Sequence, residues 1–286
     1  MQIVVEQLLN ALQMGVLLFL IASGLSLVFG LMHVVNLAHG ALYMVGAYFG
    51  ITIARGVGSF YLALLLAPLL TAMLGVLLER ALLARTYGRG MYPQVLLTLG
   101  LVFAFDELVR IIWGAPIQTL ALPQGLDGTV VVAGASVPVY RVLVVVIGAV
   151  VIASLLLGFG RTRVGAMVRA GVDDREMAAA LGINVPRLFS GVFAVGSALA
   201  GLAGVLSVPI FNAFPGMGSE ILISALVVVV VGGMGSLAGA LIASLLIGAA
   251  TVVGQIYAAE FSTAVIYLVL VVVLLVRPQG LMGIAR

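Results

Sequence analysis

The sequence contains no lysine and no cysteine, and only 8% of its 286 residues are charged. Without cysteine the chain can form no disulfide, no thiolate metal site and no iron–sulfur centre. Without lysine it cannot form the usual phosphate-binding P-loop, in which a lysine reaches the β- and γ-phosphates. Its two histidines, His33 and His39, stand outside any HExxH arrangement. The sequence therefore predicts neither ATP hydrolysis by a standard P-loop nor a metal site.

The shortage of charge indicates a membrane protein. Hydrophobic residues make up 64% of the chain, which also contains 36 glycines. A soluble domain carries roughly 25% charged residues because its surface faces water, so the outer face of this chain is expected to meet lipid. One helical span needs about 20 apolar residues, which leaves room for roughly 8 to 10 spans and no separate soluble domain. We expect an all-α, polytopic transmembrane helical bundle of about eight spans, folded as one domain over residues 1–286.

Nine apolar segments are candidate transmembrane helices. They lie at 8–30, 38–54, 60–84, 92–113, 139–160, 188–210, 219–231, 235–254 and 260–277. Two of them, 38–54 and 219–231, are short for a full crossing and adjoin breaks rich in glycine or asparagine. Such breaks are typical of interrupted or re-entrant helices beside a substrate path. In 188–210 and 235–254, small residues recur at four-residue spacing, which predicts close helix–helix packing.

The arginines predict the orientation of the bundle. Ten of the 13 lie in the loop 79–90, the loop 161–187 and the C-terminal tail with Arg277 and Arg286. Arginine is enriched on the cytoplasmic side, so these three regions are expected there, with 114–138 and the N-terminus outside. Because the arginines are dispersed between apolar runs, they fit membrane topology rather than nucleic-acid binding. The start of the chain lacks a basic region and a cleavage site, which argues against a removed signal peptide.

The loop 161–188 contains the clearest local signal outside the apolar segments. Asp173 and Asp174 stand where a helix N-cap and a first-turn acid are favoured, and Gly182 stands where the helix would end. An alanine-rich stretch lies between them, so we expect a helix of about two turns on the cytoplasmic side. The residues alone leave two interpretations open. The helix folds back on its own bundle, or it docks a cytoplasmic partner.

Four blocks, in order along essentially the whole chain, carry a family resemblance. They read VNLAHGA at 35–41 with MVGAY at 44–48, MAAALGIN at 177–184, GGMGSLAG at 232–239 and RPQGL at 277–281. In these blocks the chain resembles the LivH-type permease subunit of bacterial branched-chain amino acid ABC importers. Importer permeases generally carry a cytoplasmic Glu-Ala-Ala-x-x-x-Gly motif that forms a coupling helix. Glu176, Ala178 and Gly182 match its spacing, whereas Met177 replaces the second residue and the downstream Ile-x-Leu-Pro part is not evident.

The resemblance implies that this helix couples the chain to an ATPase. The residues expected to do so are Asp173, Asp174, Arg175, Glu176, Met177, Ala178, Leu181, Gly182 and Ile183.

Two breaks are candidates for the translocation path. At Asn36–Gly40, a half-helix N-terminus would present N–H donors and a positive dipole end, which suits a carboxylate. The competing interpretation is a structural kink, packed against a neighbour and capped by Asn36. The break at 232–236 allows the same two interpretations. The candidate path residues are Asn36, His39, Gly40, Tyr43, Gly232, Gly233, Gly235 and Ser236.

Within 92–113, the charges Asp106, Glu107 and Arg110 stand at membrane depth near the outer end. Charges there are costly and are first suspected of function. Both acids are spaced to share Arg110 on one helix, as an i,i+4 and an i,i+3 pair. A structural or docking network is therefore favoured over a site for a substrate amine.

The expected function follows from the resemblance. It implies a permease subunit of the bacterial inner membrane, with a LivM-like second permease, two cytoplasmic ATPase subunits and a periplasmic solute-binding protein as partners. The chain itself would be no enzyme and bind no cofactor, since ATP and Mg²⁺ would belong to the ATPases. The cargo would be leucine, isoleucine, valine or a related small solute, moved by alternating access.

The alternative is a secondary transporter driven by an ion gradient, which shares interrupted helices and an apolar composition. The few intramembrane acids count against it. An intramembrane enzyme lacks a nucleophile–base or metal constellation.

Overall fold

A computed structural model describes residues 2–32, 34–122, 125–132, 134–257 and 259–283, so that His33 and Arg286 lie outside the described residues. The described chain is mainly helical. In chain order its α-helices are α1 (Gln2–Met32), α2 (His39–Val57), α3 (Phe60–Ala81), α4 (Met91–Trp113), α5 (Val139–Arg161), α6 (Arg163–Asp173), α7 (Arg175–Ala180), α8 (Val185–Phe211), α9 (Met217–Gly232), α10 (Leu237–Tyr257) and α11 (Ser262–Val276). Short 3-10 helices occupy Leu83–Thr86 and Ala259–Phe261.

Each predicted apolar segment corresponds to one helix, so the helical membrane bundle is confirmed. Within the described residues, six helices, α1, α2, α3, α5, α8 and α10, are long and apolar enough to cross a membrane. Helices α9 and α11 are shorter, at 16 and 15 residues. Helix α4 has 23 residues and contains the three charges noted above. The predicted short segment 219–231 is therefore a short helix, as its length indicated.

Helices α1 and α8 form the centre of the bundle, and glycines set the distance to their neighbours. A Cβ on Gly46 of α2 would lie 2.4 Å from the Cα of Gly201 on α8, so these backbones almost touch. On the other side, a Cβ on Gly248 of α10 would lie 2.5 Å from the backbone nitrogen of Gly15 on α1. Close approach through small residues provides the van der Waals contact that holds helices together in lipid. The predicted packing role of the small residues is confirmed.

The segment 114–138 contains a β-hairpin, which corrects the expectation of a loop throughout. Strands β1 (Thr129–Val132) and β2 (Ala135–Pro138) pair antiparallel, with Thr129 opposite Pro138. The β-branched run of β1 favours a strand, and Gly134 takes a positive φ of 83° at the turn. Before the hairpin, Gln118 and Ala213 exchange two backbone hydrogen bonds of 2.7 and 2.8 Å. These bonds attach the segment to the end of α8.

The arginine-rich regions meet at one end of the bundle. Arg80 of α3 donates to Ser190 at the start of α8, and the tail attaches to the end of α9 through Leu281 N–H and the Val231 carbonyl. The opposite end carries the hairpin, and α1 contacts β2. The N-terminus of α1 therefore lies on the hairpin side. By the positive-inside tendency the arginine-rich end is cytoplasmic, which agrees with the predicted outward N-terminus.

Candidate functional site

Helix α2 begins inside the bundle rather than at a membrane surface. The Nε2 atom of His39, the first residue of α2, lies 3.0 Å from the carbonyl oxygen of Ile21. Ile21 stands eleven residues before Met32, the end of α1, which is about 16 Å along a helix axis. The chain thus turns back into the bundle between the two helices. The first break is therefore an interruption within a membrane crossing rather than a re-entrant loop, since α2 continues to the hairpin side, where Arg55 donates to Gln118.

His39 is held by packing against α1. Its side chain is only 1% exposed, and a Cβ on Gly24 would lie 2.9 Å from the imidazole ring. In this conformation the ring contacts protein and does not line an open channel.

Asn36 is fully buried, yet its amide is not used by the described protein. Neither Oδ1 nor Nδ2 has a hydrogen-bond partner within the described residues. The N-cap of α2 is Ala38 with no side-chain cap, so the interpretation in which Asn36 caps the helix is wrong. A buried amide without partners costs free energy, and such a group calls for a functional explanation.

The first turns of α2 and α9 meet deep in the bundle. A Cβ on Gly40 would lie 2.1 Å from the carbonyl oxygen of Gly218, and one on Gly218 would lie 2.4 Å from that of Gly40. Helix α9 starts at Met217, directly after Gly216 with a φ of 97°. Tyr43, one turn into α2, is buried and faces side chains of α8 and α9. Two positive helix ends therefore converge beside Asn36.

The second predicted break lies elsewhere. Gly233 and Gly235 have φ values of 98° and 85°, and the Ser236 hydroxyl accepts a hydrogen bond from Gly239 N–H at 3.0 Å. The Gly232 carbonyl accepts from Met282 of the tail. This break is separated from Gly218 by the length of α9, about 24 Å for 16 residues. The eight candidate path residues thus form two groups, one deep in the bundle and one at its cytoplasmic end.

Gly216 and Gly218 were not among the predicted path residues. The signal for them was present in the breaker run Pro215-Gly216-Met217-Gly218, which precedes the segment predicted at 219–231. The glycine run at 232–236 marks the opposite end of α9, where a break is also present.

The loop 161–188 contains two helices instead of the one expected. Helix α6 is capped by the Thr162 hydroxyl, which accepts from Gly165 N–H at 3.1 Å. Val168 and Gly171 of α6 are buried, and Gly171 lies against Leu31 of α1. The available signals for this helix were Thr162 as a possible N-cap and apolar residues at helical spacing, Val164, Met167 and Val168.

Helix α7 is the predicted short helix, and both of its ends are defined locally. The Asp174 carboxylate accepts from Met177 N–H at 2.9 Å, so Asp174 is the N-cap and Asp173 ends α6. At the other end, Gly182 has a φ of 87° and donates to Ala179, while Ile183 donates to Ala178. These two bonds form a Schellman motif, in which a left-handed glycine ends a helix.

One side of α7 is attached to the bundle and the other is uncovered. Ala178 is 1% exposed, whereas Met177 and Leu181 are 57% and 75% exposed. The side chains stand at the arginine-rich end, beyond the apolar span of α8. This exposed apolar pair on a capped helix is a candidate contact for a protein partner.

The charges of α4 divide between two directions. Arg110 forms an ion pair with Glu107 at 3.8 Å, and both side chains are more than half exposed. Asp106 instead turns inward, where its Oδ1 atom is buried without a hydrogen-bond partner in the described chain. Of the two acids expected to share Arg110, Glu107 forms the ion pair, while Asp106 lies within electrostatic range of the same guanidinium.

Over most of its length the chain is similar to known proteins of one family. Residues 7–274 match the family described as branched-chain amino acid transport system / permease component. BraD, the high-affinity branched-chain amino acid transport system permease protein of Pseudomonas aeruginosa, is 30% identical over 97% of this chain and 95% of its own length. LivH of Escherichia coli K12, of the same description, is 28% identical with the same coverage. A probable LivH of Methanocaldococcus jannaschii is 28% identical over 94% of this chain and 89% of its own.

Proposed function

Because the chain belongs to the family of permease components of branched-chain amino acid transport systems, we propose that it is a transmembrane permease subunit of an ABC importer for branched-chain amino acids or a related small solute. The cargo class comes from the relatives, whose names specify branched-chain amino acids. The chain is a multi-pass membrane permease, and its proposed location is the bacterial inner membrane.

The observation that carries this proposal is the uncovered face of α7. A transporter driven by an ion gradient has no need for a capped cytoplasmic helix that exposes Met177 and Leu181. An ATPase docked there would bury both side chains and could move α7 against the bundle. In this proposal ATP and Mg²⁺ bind to two separate ATPase subunits, and Asp173–Ile183 forms the coupling element.

The convergence of α2 and α9 supports a position for the solute. An amino acid carries a carboxylate, and helix N-termini favour negative charge. Asn36 could hydrogen-bond either end of an amino acid, since its amide both donates and accepts. The backbones of Gly40 and Gly218 touch in this conformation, so passage requires α2 and α9 to separate. Alternating access would therefore include a movement of these two first turns.

Two further partners complete the proposed importer. The exposed Glu107–Arg110 pair of α4 is unfavourable against hydrocarbon, because charges in a membrane face protein or water. It supports a LivM-like second permease subunit packed beside α4. A periplasmic solute-binding protein would deliver cargo to the hairpin end of the bundle.

Reconstitution tests this function. The chain and its co-purified partners are placed in proteoliposomes, and uptake of radiolabelled leucine, isoleucine and valine is measured with ATP inside or outside. We expect uptake that requires ATP on the ATPase side and persists when proton and sodium gradients are collapsed. Uptake by the chain alone, abolished by collapsing a gradient, would support the secondary transporter instead.

A further inference from the structure

Glu79, near the cytoplasmic end of α3, is a buried carboxylate held by two hydroxyl groups. Its side chain is only 2% exposed. The Tyr87 hydroxyl donates to Oε1 at 2.9 Å, and the Ser190 hydroxyl of α8 donates to Oε2 at 2.7 Å. Arg80 donates in turn to the Ser190 oxygen at 3.2 Å. A buried carboxylate is stable only when its oxygens are hydrogen-bonded, so this geometry is strongly determined.

The same cluster reaches α7 through aromatic contacts. The ring of Tyr87 meets that of Phe189 edge-on, with centroids 5.6 Å apart. The guanidinium carbon of Arg175, the first residue of α7, lies 4.6 Å from the centroid of Phe189. Phe189 is 1% exposed and precedes Ser190 in α8. A continuous series of contacts therefore joins α7 to α8, then to Tyr87 after the 3-10 turn, and then to α3.

The Tyr87 hydroxyl is a permanent donor in this cluster. Burial, together with the negative charge of Glu79, raises the pKa of Tyr87 well above its usual range, and Arg175 opposes this effect. The hydroxyl therefore stays protonated at every physiological pH. The Tyr87 hydroxyl therefore remains available to donate to Glu79, which suits a rigid link.

We propose that Glu79 is a positioning residue for energy coupling: with Tyr87 and Ser190 it fixes α3 and α8 to each other beneath α7. This inference rests on the proposed function, in which an ATPase moves α7. A displacement of α7 presses on Phe189 through Arg175. The Glu79 hydrogen bonds then make α3 and α8 move as one unit, instead of yielding locally.

Contacts of α8 connect the joint movement of α3 and α8 to the proposed translocation path. Helix α8 contacts α2 at Gly204, where a Cβ would lie 2.2 Å from the Tyr43 carbonyl oxygen. Tyr43 lies one turn after Gly40, where α2 meets α9. Rigid transmission along α8 would therefore reach the two first turns that must separate.

The experiment measures coupling in the complete reconstituted importer. ATP hydrolysis stimulated by the solute-binding protein and solute uptake are recorded together for Glu79→Gln, Tyr87→Phe and Ser190→Ala. Arg85→Gln is the matched control, because Arg85 is exposed at the same end and outside the cluster. We expect roughly a tenfold rise in ATP hydrolysed per solute for Glu79→Gln, because a charge-assisted hydrogen bond shifts an equilibrium by about that factor. The control should keep the wild-type ratio.

A purely structural role predicts a different result. It would lower the amount of folded complex and its thermal midpoint, while the ATP-to-solute ratio of the surviving complex stays at the wild-type value. That unchanged ratio would overturn the inference. The double variant Glu79→Gln/Tyr87→Phe gives a second test, since two residues that share one link should be non-additive. Additive effects would also overturn it. An absence of ATP-driven uptake by the wild-type complex would contradict the proposed function itself, rather than the role of Glu79.

Discussion

Replacing Gly204 with alanine should separate α2 from α8. Gly204 lies in the middle of α8, and an added Cβ would lie 2.2 Å from the Tyr43 carbonyl oxygen and 2.8 Å from the Ala47 nitrogen. Both neighbouring atoms belong to the backbone of α2, so no side chain can rotate away. Helix α2 would have to withdraw by about 0.8 Å merely to reach a separation of 3.0 Å.

The expected cost follows from this overlap. Adding a methyl group to a close-packed contact destabilises a protein by about 1–3 kcal/mol. Alanine also gains about 1 kcal/mol over glycine in helix propensity, which partly hides the penalty. Gly191→Ala in the same helix measures the propensity gain without the packing penalty, because a Cβ on Gly191 meets nothing within 4 Å. The two variants share the propensity gain, so their difference measures the contact alone.

The assay is the thermal midpoint of the detergent-solubilised chain, followed by size-exclusion chromatography with fluorescence detection. For a penalty near 2 kcal/mol we expect Gly204→Ala to melt about 4–8 °C below Gly191→Ala. Gly191→Ala should melt at or slightly above the wild-type temperature. Equal midpoints for the two variants would refute the packing of α2 on α8 at this position.

Two other predictions concern α7 and the orientation. Asp174→Ala removes the N-cap of α7, worth about 1 kcal/mol, and should reduce ATP-driven uptake with normal membrane insertion, whereas Asp173→Ala should have the smaller effect. Equal losses of uptake in the two variants would contradict the role of Asp174 as the N-cap of α7. Because the chain has no cysteine, single cysteines report topology cleanly: Ile3→Cys and Val131→Cys should react with an impermeant maleimide outside intact cells, and Leu181→Cys only after permeabilisation. The reverse labelling pattern would invert the orientation.

Local chemistry made helix α7 predictable. Asp174 and Gly182 define the two ends of α7 through hydrogen bonds to residues within a few positions, so their roles can be inferred from the sequence. The first break was predictable for the same reason, since Asn36 and the residues after it interrupt an apolar run. Only its depth in the bundle and the unused amide of Asn36 needed the structure.

Contacts between distant segments were not predictable from this sequence. Glu79 accepts a hydrogen bond from Ser190, which lies 111 residues further along the chain. No sequence feature near either residue predicts this contact. The second break lies where the glycine run at 232–236 predicts it, but the contact of Gly218 with Gly40 has no comparable signal in the sequence. A glycine pattern predicts close packing but not the partner.

The amino-acid sequence is sufficient to predict a multi-pass helical membrane protein, the arginine-rich end of its bundle and the position of a capped helix. These properties depend on composition and on neighbours along the chain. The tertiary structure alone decided which helix faces meet, where the first turns of α2 and α9 converge, and how Glu79 joins α3 to α8. The physical reason is that helices in lipid are apolar on every face, so hydrophobic periodicity does not mark the side that packs.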